Sequence, residues 1–589
     1  MPTPPLSFPQ MSTTLPPAVE RRRRLLTRAL PLSLLALVAF LLGAKAGSPG
    51  SPERDAAERF ATAWEGERFA AMHRELSPAS RRRVELNEFV LAYRRADEVA
   101  TLRSLEAGPP GAVSAAGGAT TTVLVPVLAR TAAFGVVEAE LELRFAAGGI
   151  AWDESLAFPG LRRGEHLESR VELAPRAAIL AADGTPLAEG PAAARSHPLG
   201  SAAIDVTGEV GVDEEADARA LARQGFPPGT PVGVSGLELA FNARLAGRPG
   251  GSLLAAADAG GQTHTLAEAE PRAGAPLKTT IDPELQEAAV AALAGRLGGV
   301  AVLDTRDGNV RALAGLAFSA PQPPGSTFKP VTTVAALQEG EVALDDEFEI
   351  GEGVNVGGRF IENANGELCG GSFREAFAGS CNAVFAPLGP AVGNDALVAT
   401  AERFGFNSPP TLYAEEVVER VEPAESTIPA EIGAEIDLGV SALGQGEVLA
   451  TPLQMASVAQ TIAGGGVREP TSIVANPKLR PRARPVRVMS RRIAAQVAGL
   501  MVGVVAGGTG YAAAIPEAQV AGKTGTAELG PKPGEEEAES PEQIKDAWFI
   551  AFAPAEKPRL AVGVLLVEAE ASGGEVAAPI AGQVLSAGL

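Results

Sequence analysis

Residues Pro323 to Thr333 read PPGSTFKPVTT. They set Ser326 and Lys329 three residues apart, directly after a glycine, in a chain that otherwise favours arginine. Only 8 of its 50 basic residues are lysine, and Lys329 alone among them has a serine three positions before it. If a helix begins near Ser326, positions i and i+3 share a face of its first turn. A serine hydroxyl is a weak nucleophile until a neighbouring base takes its proton, and lysine serves when burial or another cation disfavours its charge. Arginine cannot, because it stays protonated. The same helix start aims backbone N–H groups at the serine, where an oxyanion would form during attack.

The four histidines, His73, His166, His197 and His264, all precede the region that holds Ser326. A Ser-His-Asp arrangement within one domain is thereby excluded, and a zinc site of His with Cys is disfavoured. Two further short elements follow Ser326 in order, Ser380-Cys381-Asn382 and Lys523-Thr524-Gly525-Thr526. The patterns S-x-x-K, S-x-N and K-T-G each occur once.

Regular elements surround these motifs. Asp282-Pro283-Glu284 caps a helix running into ELQEAAVAALAGRL, with Asp at the cap and Pro in the first turn. Gly299 to Thr305 and Val310 to Gly315 are apolar runs joined by Arg306-Asp307-Gly308-Asn309, a hairpin pattern. Thr451-Pro452 starts another helix, and Leu560 to Glu568 (LAVGVLLVE) reads as a late strand. Helices interleaved with antiparallel strands over residues 276 to 589 predict one large α+β domain.

Upstream, Phe60, Trp64, Phe69 and Met72 recur at near-helical spacing within Glu53 to Leu76, and Leu86, Phe89, Val90 and Tyr93 mark a second helical run. Thr121 to Leu128 and Val137 to Phe145 then alternate with period two, and Ile150 to Trp152 begins another short strand. These elements predict a small α+β domain over residues 51 to 166. Residues 167 to 275 are rich in Gly, Pro and Ala, punctuated by turns and poor in strand signal, and predict an extended, irregular linking module.

At the N-terminus, Arg21 to Arg24 and Arg28 precede an uncharged run, Ala29 to Ala44. Counted from Leu25 to Ala46 the stretch reaches a spanning length, with the arginines holding residues 1 to 24 in the cytoplasm. The competing reading is a cleaved signal peptide with Ala44-Lys45-Ala46 as its cleavage site. Both readings put everything after residue 50 outside the cytoplasmic membrane. Cys369 and Cys381 then lie where a disulfide can persist. Two unpaired thiols are the alternative, because sequence does not supply the Cα separation. A length of 589 residues implies two to four domains, and a net charge of -21 argues against nucleic acid as a partner.

The three motifs, in this order and at these separations, resemble the active site of the penicillin-binding proteins and the related serine β-lactamases. Matches extend over residues 276 to 589 through LKTTIDPELQ, DTRDGNVRALA, the GQG run followed by TPLQMA, VAGKTGTAE and AWFIAFAP. PRAAILAADGTPLAEG and GVSGLELAFN resemble the dimerisation or pedestal module of class B penicillin-binding proteins, with Arg176-Ala177 where that module has Arg-Gly. The domain at 51 to 166 resembles their nuclear-transport-factor-like, cone-like extension, with FPGLRRGE as its exit.

The resemblance implies Ser326 as acylated nucleophile, Lys329 as its proton acceptor, Ser380 as a proton relay, Asn382 as a hydrogen-bond partner of the substrate peptide, and Lys523 as positive charge. Thr524, Gly525 and Thr526 would form the strand that holds substrate, with the oxyanion between the amides of Ser326 and Thr526. No cofactor and no metal are implied. Cys381, Phe328 and Trp548 read as packing residues and Glu535 to Glu542 as a solvated loop. The implied activity is a membrane-anchored D,D-transpeptidase acting on D-Ala-D-Ala stem peptides of peptidoglycan, with β-lactams as mimics. Residues 51 to 275 lack a Glu-Asp-x-x-Phe-x-x-His signature, so the partner glycan polymerase would be a separate protein of the shape, elongation, division and sporulation family. The rivals are a D,D-carboxypeptidase or β-lactamase of the same fold and, in another class, a non-catalytic β-lactam sensor.

Overall fold

A computed structural model describes residues 51–589 except 118–119, 213–217, 228, 258–261, 415–422, 517 and 532–542. The basic tail and apolar stretch of residues 1 to 46 lie outside the described residues, and so does the acidic run Glu535 to Glu542. Among the described residues no helix is long and apolar enough to cross a membrane. The chain divides into two compact units.

Among the described residues, the first unit runs from Ser51 to Ala174 and takes in those of Glu215–Pro228 and Arg248–Arg272. Its helix α1 (Pro52–Glu65) starts where the Ser51 hydroxyl accepts from the Arg54 N–H, with Pro52 in the first turn. The continuous helix expected to Leu76 is broken at Gly66, and Glu67 adopts a left-handed φ of 51° before a short helical turn resumes at Phe69. Helix α2 (Leu86–Val99) opens with a capping box between Glu85 and Glu88. Strands β1 (Leu102–Ala107), β2 (Thr120–Thr131) and β3 (Val136–Ala146) form an antiparallel sheet in that order. The alternation read from the sequence buries Val123, Val125, Leu141 and Leu143 against Phe60, Trp64, Phe89 and Tyr93 of the helices.

The structure corrects the expectation of an irregular segment over 167 to 275. Strands β4 (Glu165–Glu172), β5 (Gly250–Ala257) and β6 (His264–Ala269) form an antiparallel sheet with β5 in the middle. Strand β4 reads EHLESRVE, with two apolar residues, and β5 reads GGSLLAAA, a continuous apolar run. Neither alternates apolar with polar residues, so the pairing between segments distant in sequence leaves no periodic trace.

The second unit takes in Pro175–Glu214, Gly229–Gly247 and Ala273–Leu589. Helix α3 (Pro283–Leu293) is capped by Asp282 and leads into the expected hairpin of β7 (Gly298–Asp304) and β8 (Val310–Gly315). The central sheet runs β8-β7-β15-β14-β13, where β13 is Ala521–Pro531, β14 Gln543–Ala553 and β15 Leu560–Leu566, antiparallel throughout. Alternation divides β14 between two cores. Ala547, Phe549 and Ala551 face α3 and the last helix α9 (Gly573–Gly588), whereas Trp548, Ile550 and Phe552 face the other layer.

That other layer contains α4 (Lys329–Glu339), a hairpin region of β9 (Glu347–Gly351), β10 (Gly353–Val356), β11 (Arg359–Glu362) and β12 (Cys369–Ser372), and then α5 (Phe373–Ala378), α6 (Asn382–Val392), α7 (Pro452–Ala463) and α8 (Arg491–Gly507). Phe328 and Trp548 are fully buried there, as expected. Strand β13 is the edge strand, beside α8 and the turn Gly325–Phe328 that leads into α4, and the sequence motifs lie at that edge or on the segments facing it.

Candidate active site

Ser326 lies on a single 3₁₀ turn, Gly325–Phe328, that passes directly into α4. The expected helix therefore begins tighter than an α-helix, a geometry in which residues i and i+3 eclipse one another. Gly325 makes this turn possible. Its φ is 52°, its N–H donates to the Gly444 carbonyl at 2.8 Å, and a Cβ on it would sit 2.7 Å from the Thr526 carbonyl oxygen. From the other side, a Cβ on Gly525 would lie 2.8 Å from the Pro324 oxygen. The serine turn and β13 thus meet backbone to backbone, a contact that only glycine permits.

Lys329 is fully buried, and its Nζ donates to the Ser380 carbonyl at 2.7 Å and to Asn382 Oδ1 at 2.8 Å, with Ser380 Oγ at 3.3 Å. Lys523, on β13, is equally buried and donates to Ser380 Oγ at 2.8 Å and to the Thr524 carbonyl at 3.1 Å. Two lysines from separate elements therefore converge on one serine hydroxyl. Ser380 reaches between them because its backbone is left-handed, φ 61°, at the end of α5. Asn382 completes the set, its amide donating to the Glu362 carbonyl at 2.9 Å.

Burial, and then the neighbouring ammonium of Lys523, hold the Lys329 amine well below its ordinary value. Burial alone pushes Lys523 down to about 7. The rings of Phe385 and Phe377 stand 5.2 Å and 5.9 Å from the two Nζ atoms. Each offers a π face to an amine with no carboxylate among the contacts described.

The supporting groups were not legible in the sequence. Asn363 accepts from the Ala383 N–H at 2.9 Å and donates to the Gly351 and Glu367 carbonyls, tying the start of α6 to the hairpin region. Cys381, inside the second motif, is buried and disulfide-bonded to Cys369 on β12, with Cα atoms 5.5 Å apart. This resolves the alternative left open above in favour of the bond. Thr526 Oγ1 accepts from the Gly573 N–H at 3.3 Å, and Thr524 Oγ1 lies 2.6 Å from Thr509 Oγ1. No signal in the sequence marks Thr509 or Asn363, because each acts through a partner distant in the chain.

Residues 298–586 match the family described as the penicillin binding protein transpeptidase domain, and residues 189–279 match the penicillin-binding protein dimerisation domain. The chain belongs to the penicillin-binding protein transpeptidase family. Among curated members, it is 39% identical over 297 residues to peptidoglycan D,D-transpeptidase PbpA of Mycobacterium tuberculosis, covering 47% of this chain and 57% of that one. It is 28% identical over 393 residues to peptidoglycan D,D-transpeptidase FtsI of Escherichia coli, covering 61% and 64%. The chain thus spans less than two thirds of the length of these curated relatives. The crystal structure of PBPA from M. tuberculosis superposes with a TM-score of 0.55 at 29% identity, covering 70% of this chain and 99% of that one. The imipenem acyl-enzyme complex of penicillin-binding protein A from the same organism gives 0.54 at 28%, covering 70% and 98%.

Proposed function

We propose that this penicillin-binding protein is a membrane-anchored D,D-transpeptidase that crosslinks peptidoglycan stem peptides through an acyl-enzyme on Ser326 and is acylated there by β-lactams. The observation that carries the reading is the convergence of two buried, charge-depressed lysines on the Ser380 hydroxyl beside the Ser326 turn. Proton accounting supports the roles. A neutral Lys329 has two N–H groups, which match the Ser380 carbonyl and Asn382 Oδ1, and one lone pair. Lys523, still charged, donates to Ser380 Oγ, so that hydroxyl needs no proton from Lys329 and the lone pair is left for the Ser326 proton.

In acylation, Ser326 Oγ attacks the carbonyl of the penultimate D-Ala as Lys329 takes the hydroxyl proton. The oxyanion is received by the backbone N–H groups of Ser326 and Thr526, on the turn and strand that approach through Gly325 and Gly525. The C–N bond then breaks, and the proton passes through Ser380 to the leaving amine of D-Ala. Asn382 and the Lys523 to Thr526 strand hold the donor peptide. An amine from a neighbouring strand attacks the ester by the reverse sequence, restoring Ser326. The apolar stretch at 25 to 46 is the anchor in this reading, residues 51 to 166 the nuclear-transport-factor-like domain, and 167 to 275 the pedestal module. A separate glycan polymerase of the shape, elongation, division and sporulation family supplies the strands.

The test is to incubate the full-length chain in detergent with fluorescent penicillin and map the adduct, then to supply a D-Ala-D-Ala pentapeptide with an amine acceptor. One adduct on Ser326, lost in Ser326→Ala, and a joined peptide are expected. Only trimmed peptide would make the chain a D,D-carboxypeptidase, and rapid release of opened penicillin a β-lactamase. An adduct without peptide turnover would make it a sensor. No adduct on Ser326 overturns the reading.

A further inference from the structure

Ala378 ends α5 two residues before Ser380, and both the backbone and the side chain of Thr509 meet its carbonyl. The Thr509 N–H donates at 3.2 Å and the hydroxyl at 3.4 Å. The same hydroxyl lies 2.6 Å from Oγ1 of Thr524, the residue after Lys523 on β13. The surroundings hold Thr509 in place. A Cβ on Gly508 would lie 2.5 Å from the Ala378 oxygen, and one on Gly574, in the first turn of α9, would lie 2.3 Å from the Thr509 oxygen. One half-buried threonine thus touches the element that delivers Ser380 and the strand that delivers Lys523.

Hydroxyl accounting fixes the direction of this bridge. The Ala378 carbonyl has two lone pairs, one for the Thr509 N–H and one for the Thr509 O–H, so the short contact at 2.6 Å is then a donation from the Thr524 hydroxyl to Thr509 Oγ1. Every group in the chain is satisfied with one proton apiece. The Thr524 hydroxyl is spent on this bridge, which leaves Thr526 as the motif hydroxyl nearer solvent.

We propose that Thr509 is a positioning residue for the acylation step: its hydroxyl ties the end of α5 to β13 and so fixes the contact between Ser380 Oγ and Lys523 Nζ. The inference rests on the transpeptidase reading above. Ser380 and Lys523 belong to different elements and meet at a single 2.8 Å contact. A displacement of about 1 Å at such a contact is enough to slow chemistry by up to about a hundredfold.

The experiment measures the second-order rate of Ser326 acylation by fluorescent penicillin in the full-length parent, Thr509→Val, Thr509→Ser, Thr524→Val and the Thr509→Val/Thr524→Val pair, with melting curves alongside. Thr509→Val keeps shape and backbone N–H but loses the hydroxyl, and is expected to acylate roughly tenfold or more slowly. Thr509→Ser restores the rate to within about twofold of the parent. The double variant is no slower than the slower single one, because both remove the same bond. A parent rate in Thr509→Val overturns the proposal and leaves the transpeptidase reading standing. So does an equal loss in Thr509→Ser, which would assign the effect to the methyl group, or full additivity in the pair. Where Thr509→Val fails to fold, Thr509→Ala against Thr509→Ser decides the same question. A parent that is not labelled on Ser326 overturns both.

Discussion

Lys329 and Lys523 share one serine oxygen, and the proposed mechanism requires them to differ in charge. Burial disfavours the charge on both, and repulsion lets Lys329 lose its proton first, since its amine is depressed by Lys523 as well as by desolvation. Acylation is therefore expected to rise with pH as Lys329 becomes neutral and to decline above about 7 as Lys523 loses its charge. The two limbs belong to the coupled pair. Measured as acylation rate against pH, a profile without an acid limb in a folded enzyme removes Lys329 as the base. Lys329→Arg keeps a cation and removes the base, so acylation should fall by roughly 10² to 10⁴. Lys523→Arg keeps the charge that matters there and should be milder. The sequence disclosed this pair through three motifs in order, S-x-x-K, S-x-N and K-T-G, each occurring once. It could not disclose the rings of Phe385 and Phe377 or the amide of Asn363, because aromatic and amide residues at ordinary spacing read as core and turn.

Two elements set the active edge, the 3₁₀ turn of Ser326 and strand β13, and their contact depends on Gly325. Gly325→Ala adds a Cβ 2.7 Å from the Thr526 oxygen to a residue at φ 52°. Acylation is expected to fall at least tenfold, with the melting temperature lowered too, since left-handed backbone costs a non-glycine residue about 1 kcal/mol before any clash. A Gly325→Ala enzyme that acylates like the parent would show that the turn can shift away from β13. The disulfide acts on the neighbouring element. It joins β12 to the middle residue of Ser380-Cys381-Asn382, whose flanking residues supply the acceptors of Lys329. Reduction with a thiol is expected to slow acylation reversibly, read by labelling before and after reoxidation. An unchanged rate would mean that packing of the buried Cys381 alone holds the motif. Helix caps and the β7/β8 hairpin were legible because Asp282, Thr451 and Asp307-Gly308 act on residues next to them. The β4, β5, β6 sheet was not, because β4 meets β5 from far away in sequence and β5 is a continuous apolar run without alternation. The break at Gly66 leaves no mark in the sequence because the apolar period continues across it.

At the scale of the whole molecule, buried charge works against stability in one place and for it in another. Glu238 joins Arg176 and Arg195, with Nε to carboxylate distances of 2.7 Å for each, and Asn242 takes Arg176 Nη1 at 3.0 Å. Ala177 fits beside this cluster, its carbonyl accepting from Arg195 at 2.8 Å. It has no positive φ that would have demanded the family's glycine. Glu238→Gln would leave two buried guanidinium groups facing an amide, a loss of about 3–5 kcal/mol that lowers the melting temperature of the second unit by several degrees. An unchanged melting temperature would mean that water reaches the cluster. The two lysines of the candidate site have the opposite sign. Lys523 falls from 10.5 to about 7 in the folded chain, so between those values the unfolded chain binds the extra proton. Stability then rises with pH across that window, and below it the full penalty of burying the ammonium is present. Replacing Lys523 by methionine removes the penalty while filling the same space beside Phe377. Lys523→Met is expected to melt a few degrees above the parent at pH 6.5, to lose that advantage by pH 10, and to acylate poorly, a trade of stability for function at the site. Calorimetry at the two pH values, with labelling alongside, decides it. A variant that melts below the parent at pH 6.5 would mean that the hydrogen bonds of Lys523 to Ser380 and Thr524 outweigh its desolvation.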